Sequence, residues 1–271
     1  MQNIKLYLTE NTKNFNIPIL LLSLILIRKY ILKYKYTKQN ETLNKKNIQF
    51  KKSLLLIAHP DDELFFFLPL VLLLKNLTII SLTSGNQFQK NFNIIRFKEF
   101  QKSSKVFKFN FIIFNNKDLS KNDYLENMDK IIKSLKKIIL KEKFEAVYTF
   151  NSKGCSGHKA HISCFHIVTG IIKKMKTESS VINTENKENS KNLDKKQNIT
   201  DFYVLKDLNF EEKYLKNTKT DNKNIIIKSK KIRIKLILKI INIYWSQMNW
   251  YRLLYLIFSN YLITNTLIKI N

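Results

Sequence analysis

At 271 residues the chain has room for one sizeable domain with its own core and an appendage, but is crowded for two. Its formal charge of +27 suggests a polyanionic partner, yet lysine far outnumbers arginine and is scattered along the whole length with no nucleic-acid-binding motif beside it, so nucleic acid is not expected. Cys155 and Cys164 are too few for a disulfide framework and lack C-x-x-C spacing, which fits a reducing compartment.

The first apolar run, 17–27, is followed by Arg28, Lys29, Lys33, Lys35 and Lys38. A membrane span needs about 20 apolar residues, a length reached here only with Phe15 and 30–32 included and Arg28 and Lys29 snorkelling. Residues 1–35 are therefore expected to be a marginal N-terminal membrane anchor, with the basic flank holding the rest of the chain on the cytosolic side. A cleaved signal peptide is the competing reading, although its charge should come first and no small-residue cleavage site follows, and a buried helix is the bland alternative.

From Ser53 short apolar runs alternate with amphipathic ones. Strands are expected at 53–58, 77–82, 109–114, 145–150 and 202–205, with helices at 63–75, 93–107, 124–142 and 158–174. This alternation predicts an α/β fold, a parallel sheet with helices on both faces, within a domain covering 50–271. Residues 176–200 are rich in Asn, Lys, Ser and Glu without periodicity and read as a disordered insert. A second weakly patterned insert is expected at 217–231. The apolar, aromatic tail 232–270 reads as helical, either lying on a membrane surface or closing the core.

Chemistry concentrates at two strand ends. The run Leu54-Leu55-Leu56-Ile57-Ala58 stops at His59-Pro60-Asp61-Asp62-Glu63, and a second junction reads Gly157-His158-Lys159-Ala160-His161. Ligand sites of parallel sheets lie at such carboxyl edges. Asp61 and Asp62 alone would read as helix caps. A cap has no need of His59 beside it, nor of a second histidine pair at another junction. His59, Asp62 and His161 are expected to supply three ligands to Zn²⁺ or another divalent cation, with the fourth position open to water, the catalytic form of such a site. Asp61 is then available as general base. His158 is expected to stabilise an oxyanion or protonate a leaving amine. His166 lies off that face and reads as a packed or surface histidine.

Five segments come in an order that resembles the PIG-L/LmbE-like zinc deacetylases: Ala58-His59-Pro60-Asp61-Asp62-Glu63, Ser84-Gly85-Asn86, Arg96-x-x-Glu99, Ser156-Gly157-His158-x-x-His161 and Ser246-Gln247-Met248-x-Trp250-x-Arg252. The last, with Tyr255, Phe258-Ser259 and Tyr261, is similar to the eukaryotic N-acetylglucosaminyl-phosphatidylinositol de-N-acetylases. The resemblance implies a Rossmann-like sheet, a divalent metal, and removal of acetate from GlcNAc-phosphatidylinositol in the second step of GPI-anchor synthesis, at the cytosolic face of the endoplasmic reticulum membrane. It implies the same ligands, His59, Asp62 and His161, with Asp61 and His158 as the catalytic pair. Arg96, which matches a residue close to the family's site, is a candidate partner for a substrate phosphate. The blander reading makes Arg96 and Glu99 an ion pair on a solvated helix face.

The chain departs from the family's pattern at Ala160, where an acidic or amide residue is usual, at Asn151, where aspartate is usual, in the loop after Ser84-Gly85-Asn86, and at Tyr244-Trp245, where His-Arg is common. These changes are expected to reduce activity or alter substrate contacts before they cost metal. Two rival readings are a deacetylase of a soluble GlcNAc conjugate and a catalytically impaired, membrane-associated binding subunit.

Overall fold

The computed structural model describes residue 23 and residues 51–85, 92–114, 124–185, 200–214, 224–228 and 234–270. The expected anchor, apart from the helical Ser23, lies outside them, as do 186–199. Among the described residues no helix is long and apolar enough to cross a membrane.

One seven-stranded sheet runs through the molecule in the order β3-β2-β1-β4-β5-β7-β6. Its first five strands are β1 (Ser53–Ile57), β2 (Leu77–Ser81), β3 (Asn110–Ile113), β4 (Ala146–Thr149) and β5 (Asp201–Leu205), paired in parallel. Strand β1 is buried at every position and β4 likewise, which is why both read as apolar runs rather than as alternating patterns. From β1 the chain crosses to β2 on one side, and β4 lies on the other. Right-handed crossovers leaving in opposite directions put their helices on opposite faces and open a crevice between β1 and β4.

The expected helix at 63–75 is instead two, α1 (Asp62–Phe65) and α2 (Leu68–Leu73). Pro69 explains the break: it has no N–H to give to a carbonyl one turn earlier, and it is instead accommodated in the first turn of α2. The break frees polar backbone groups inside the core, and Asn265 on the last strand bonds two of them. Its Nδ2 donates to the Phe66 carbonyl at 2.8 Å, and its Oδ1 accepts from the Leu70 amide at 3.1 Å.

Helices α3 (Phe92–Phe107), α4 (Tyr124–Glu142) and α5 (Lys159–Glu185) follow. In α4, Ile131, Ile132, Leu135 and Ile139 are buried on the helix that packs against α5, at about 1.5–3 kcal/mol for each such side chain. Helix α5 runs eleven residues past the expected end at 174, so 176–185 is helix rather than disordered insert.

After α6 (Phe210–Tyr214) the chain corrects the insert expected at 217–231, takes the core-closing alternative for the tail, and ends that tail in a strand rather than a helix. The stretch 217–231 contains a strand, β6 (Ile225–Lys228), and the tail is part of the fold. It forms α7 (Ile234–Ile243), a 3-10 turn at Trp245–Gln247, α8 (Trp250–Phe258), and β7 (Thr264–Ile270). Strand β7 runs antiparallel between β5 and β6, so the sheet is mixed rather than wholly parallel. Short local signals could not show this, because β7 finds both partners more than 35 residues away in the chain.

Candidate active site

At the carboxyl end of β1 the backbone turns sharply. Asp62 accepts hydrogen bonds from the amides of Ala58 at 3.2 Å and His59 at 2.9 Å, which ties the turn to its own side chain. Asp61, between them, sits at φ 118°, a region L-residues seldom enter and one that costs about 1–3 kcal/mol. It does not act as a cap: its side chain makes no capping bond to α1. Its carboxylate Oδ2 accepts from Arg96 at 3.2 Å and Arg252 at 2.6 Å, while Oδ1 takes no hydrogen bond among the described residues.

The second junction, after β4, delivers His161 to the same crevice. Gly154, at φ +66°, lets the loop pass close behind it: a Cβ there would stand 2.8 Å from that of His161. The Gly154 carbonyl lies 3.0 Å from His161 Nδ1, so this nitrogen carries the proton and Nε2 is left facing the Asp62 carboxylate, 3.3 Å from Oδ1. Phe150 stacks on the imidazole at 4.1 Å and 4°, and Phe66 meets its edge, fixing the ring plane.

His59, His158 and His161 each offer a nitrogen, all within 4.8 Å of one another. His59 Nδ1 is 3.6 Å from Asp62 Oδ2. The two imidazoles thus face the two oxygens of one carboxylate, and imidazole with carboxylate is a zinc-type donor set. The residues present therefore fit a divalent metal. His158, expected only as a catalytic group, stands inside the histidine cluster, exposed at its mouth. His166 is exposed on α5.

Electrostatics follow from this packing. Burial disfavours ionised Asp62, but the charge and hydrogen bond of His161, then those of His59, outweigh it and hold the carboxyl well below the usual carboxylate range. Burial likewise opposes charge on His161, and the Asp62 carboxylate reverses the balance and raises its pKa. His158 is shifted down, first by burial and then by its two imidazole neighbours.

Arg96 and Glu99 are not on a solvated face; both are buried. Besides Asp61, the Arg96 guanidinium donates to the carbonyls of Pro60 and Gly85 and to Gln247. Gly85 is required at this approach, since a Cβ there would fall 2.1 Å from Arg96 Nη1. These bonds make Arg96 a positioning residue for Asp61, and a substrate phosphate would have to displace them. Glu99 accepts from the Ser246 amide and hydroxyl, both at 2.8 Å, and from Gln247 Nε2 at 2.9 Å. The tail is thereby latched to α3, and Arg252 is delivered to Asp61.

Sequence reasoning noted Gln247 and Arg252 only as parts of a motif and did not single out Glu63 for a role. Glu63 is fully buried; its Oε2 accepts from the Asp61 amide at 3.0 Å, and its Oε1 accepts from Ser103 at 2.8 Å and from Tyr244. Tyr244, a departure from the family's pattern, thus satisfies a buried acid that holds the strained backbone of Asp61. Asn151, another departure, accepts from the amides of Lys153 at 3.0 Å and Cys155 at 3.4 Å, a turn-forming task that an amide oxygen performs as a carboxylate does.

Burial raises the Glu63 pKa from 4.5 to about 7, helped by the charge of Asp61 and opposed by its hydrogen bonds. The folded chain then binds this proton more tightly than the unfolded one. The stability gained is fully present below about pH 4.5 and is lost as pH rises through about 7, by up to about 3 kcal/mol. In the metal-free protein Glu63→Gln is expected to flatten the fall of Tm across that window; an unchanged slope would assign the fall to other groups.

Residues 54–172 match the family model described as PIG-L: GlcNAc-PI de-N-acetylase. That match covers less than half of the chain. The matched stretch includes His59, Asp61, Asp62, Arg96, His158 and His161, whereas Tyr244, Gln247 and Arg252 lie beyond it. The N-acetylglucosaminyl-phosphatidylinositol de-N-acetylase of Bos taurus is 32% identical over 120 residues, which cover 41% of this chain and 47% of that protein; the match thus spans about half the length of the curated relative. Among solved structures, N,N'-diacetylchitobiose deacetylase from Pyrococcus horikoshii aligns at 16% identity over 74% of this chain and 72% of that one, with a TM-score of 0.48. The zinc-inhibited form of teicoplanin deacetylase aligns at 10% identity over 81% and 99%, with a TM-score of 0.47.

Proposed function

We propose that this chain is a metal-dependent amide hydrolase that removes acetate from N-acetylglucosaminyl-phosphatidylinositol, the second step of GPI-anchor synthesis, at the cytosolic face of the endoplasmic reticulum membrane. The observation that carries the chemistry is the meeting of two strand-end motifs around Asp62, with His59 at 3.6 Å and His161 at 3.3 Å. The substrate is argued from the family match and from the relative's name.

His59, Asp62 and His161 would hold the divalent metal, zinc by its donor set, with His158 close enough to join them. Such a metal supplies a water that ionises near neutral pH and polarises a carbonyl oxygen. Asp61 takes the proton of the attacking water on Oδ1, while the two arginines on Oδ2 keep the carboxylate in place. His158, uncharged at neutral pH because its pKa is shifted down, offers an N–H to the developing oxyanion at the open side of the site.

Membranes carrying the chain are expected to convert labelled GlcNAc-phosphatidylinositol to the free amine. Chelation should abolish conversion and added divalent metal should restore it. Turnover that survives chelation would remove the metal from the mechanism. Turnover of a water-soluble GlcNAc glycoside in preference to the lipid would instead favour the soluble-conjugate reading.

A further inference from the structure

We propose that the exposed residues of α7, α8 and the turn between them are a docking surface for an anionic lipid bilayer, on the segment whose Arg252 reaches the candidate active site. The proposal deepens the membrane reading above and rests on it for the site's orientation.

The chain has two tryptophans, and both lie on this surface. Trp245 is 60% exposed and Trp250 is 74% exposed, joined by Tyr251 at 55%. Isolated exposed apolar residues are ordinary, but tryptophan is highly buried on average. On α7, Lys235, Leu238 and Lys239 are exposed at helical spacing, and Asn242 and Trp245 continue the face beyond them. Its inner face is held down by Ile237, Ile240 and Ile243, and Lys102 of α3 donates to the Asn242 carbonyl. This surface is therefore the outer side of a packed element.

Charge selects the occupant. From Asn222 to Asn271 there is no aspartate or glutamate, while lysine and arginine together number nine. Aromatic rings with a polar edge, flanked by lysines whose stems lie along apolar surface, are suited to the headgroup layer of an anionic membrane. Position links the surface to the chemistry. Tyr251 immediately precedes Arg252, whose guanidinium reaches Asp61 at 2.6 Å, so α8 carries the exposed rings on one side and enters the site on the other.

The test uses the full chain and its own tryptophans, as the single-reporter variants Trp245→Phe and Trp250→Phe. Each is mixed with phosphatidylcholine vesicles, with and without phosphatidylserine, whose acyl chains are brominated. The expected result is that both reporters move to shorter wavelength and are quenched on the anionic vesicles. Lys235→Gln with Lys239→Gln should lower the docking constant read from the quenched fraction by about 30-fold, at about 1 kcal/mol for each lysine. Three outcomes would overturn the proposal: chain that sediments with vesicles while its emission is unmoved and unquenched, an equal shift on neutral vesicles, or the same shift with soluble inositol hexakisphosphate alone. No glycolipid is present, so failure here leaves the deacetylase reading standing, and absence of turnover leaves a positive docking result intact.

Discussion

Asp61→Asn is expected to lower kcat for de-N-acetylation by about 10²–10⁴-fold while leaving the stoichiometry of bound metal unchanged. Asparagine is the informative replacement because it tolerates a positive φ better than most residues, so the backbone at 118° can persist. Its side-chain oxygen can still accept from Arg96 and Arg252, but its amide cannot take a proton from water. The measurement is steady-state turnover of the glycolipid beside metal analysis of the same sample. A variant that binds metal and turns over like the parent would remove Asp61 from the chemistry. The two departures at Asn151 and Ala160 would then support the reading of a binding subunit.

Arg96→Met is expected to destabilise the fold by about 3 kcal/mol, the lower end for breaking a buried ion pair, since Arg252 still faces Asp61. Methionine keeps most of the apolar stem and deletes the guanidinium. The cost comes from several groups at once: the Asp61 carboxylate, the Pro60 and Gly85 carbonyls and Gln247 all lose a donor. Denaturant unfolding of Arg96→Met, Asp61→Asn and the double variant measures the coupling. The double variant should lose less than the sum of the singles. Strict additivity would mean that Arg96 stabilises its surroundings without holding Asp61.

Both predictions turn on how the tail meets the first motif. Leu54 to Ala58 and Ala146 to Thr149 announce themselves as buried parallel strands because every position is apolar or small enough for the interior. Helix α4 announces itself through apolar residues three and four apart. The helix break at Phe66 and Phe67 was signalled by Pro69, although the uninterrupted apolar run around it reads as one helix. Strand β6 was hidden because Ile225–Lys228 is four residues long among lysines and asparagines, and among the described residues β7 alone pairs with it.

The site divides in the same way. Local sequence determined that His59, Asp61 and Asp62 share one strand-to-helix turn, that His158 and His161 share another, and that both turns stand on an α/β sheet. Spacing alone suffices for that, since backbone geometry fixes which residues a short turn brings together. Tertiary structure alone decided that the tail joins the sheet through an antiparallel strand, that Arg252 closes on Asp61 while Gln247 accepts from Arg96, that Glu63 is held by Ser103 and Tyr244, and that Arg96 is buried rather than solvated. These contacts join residues 35 to 191 positions apart, and nothing in local propensity encodes such a pairing. They form because a buried charge or a strained turn must find its partners wherever packing brings them.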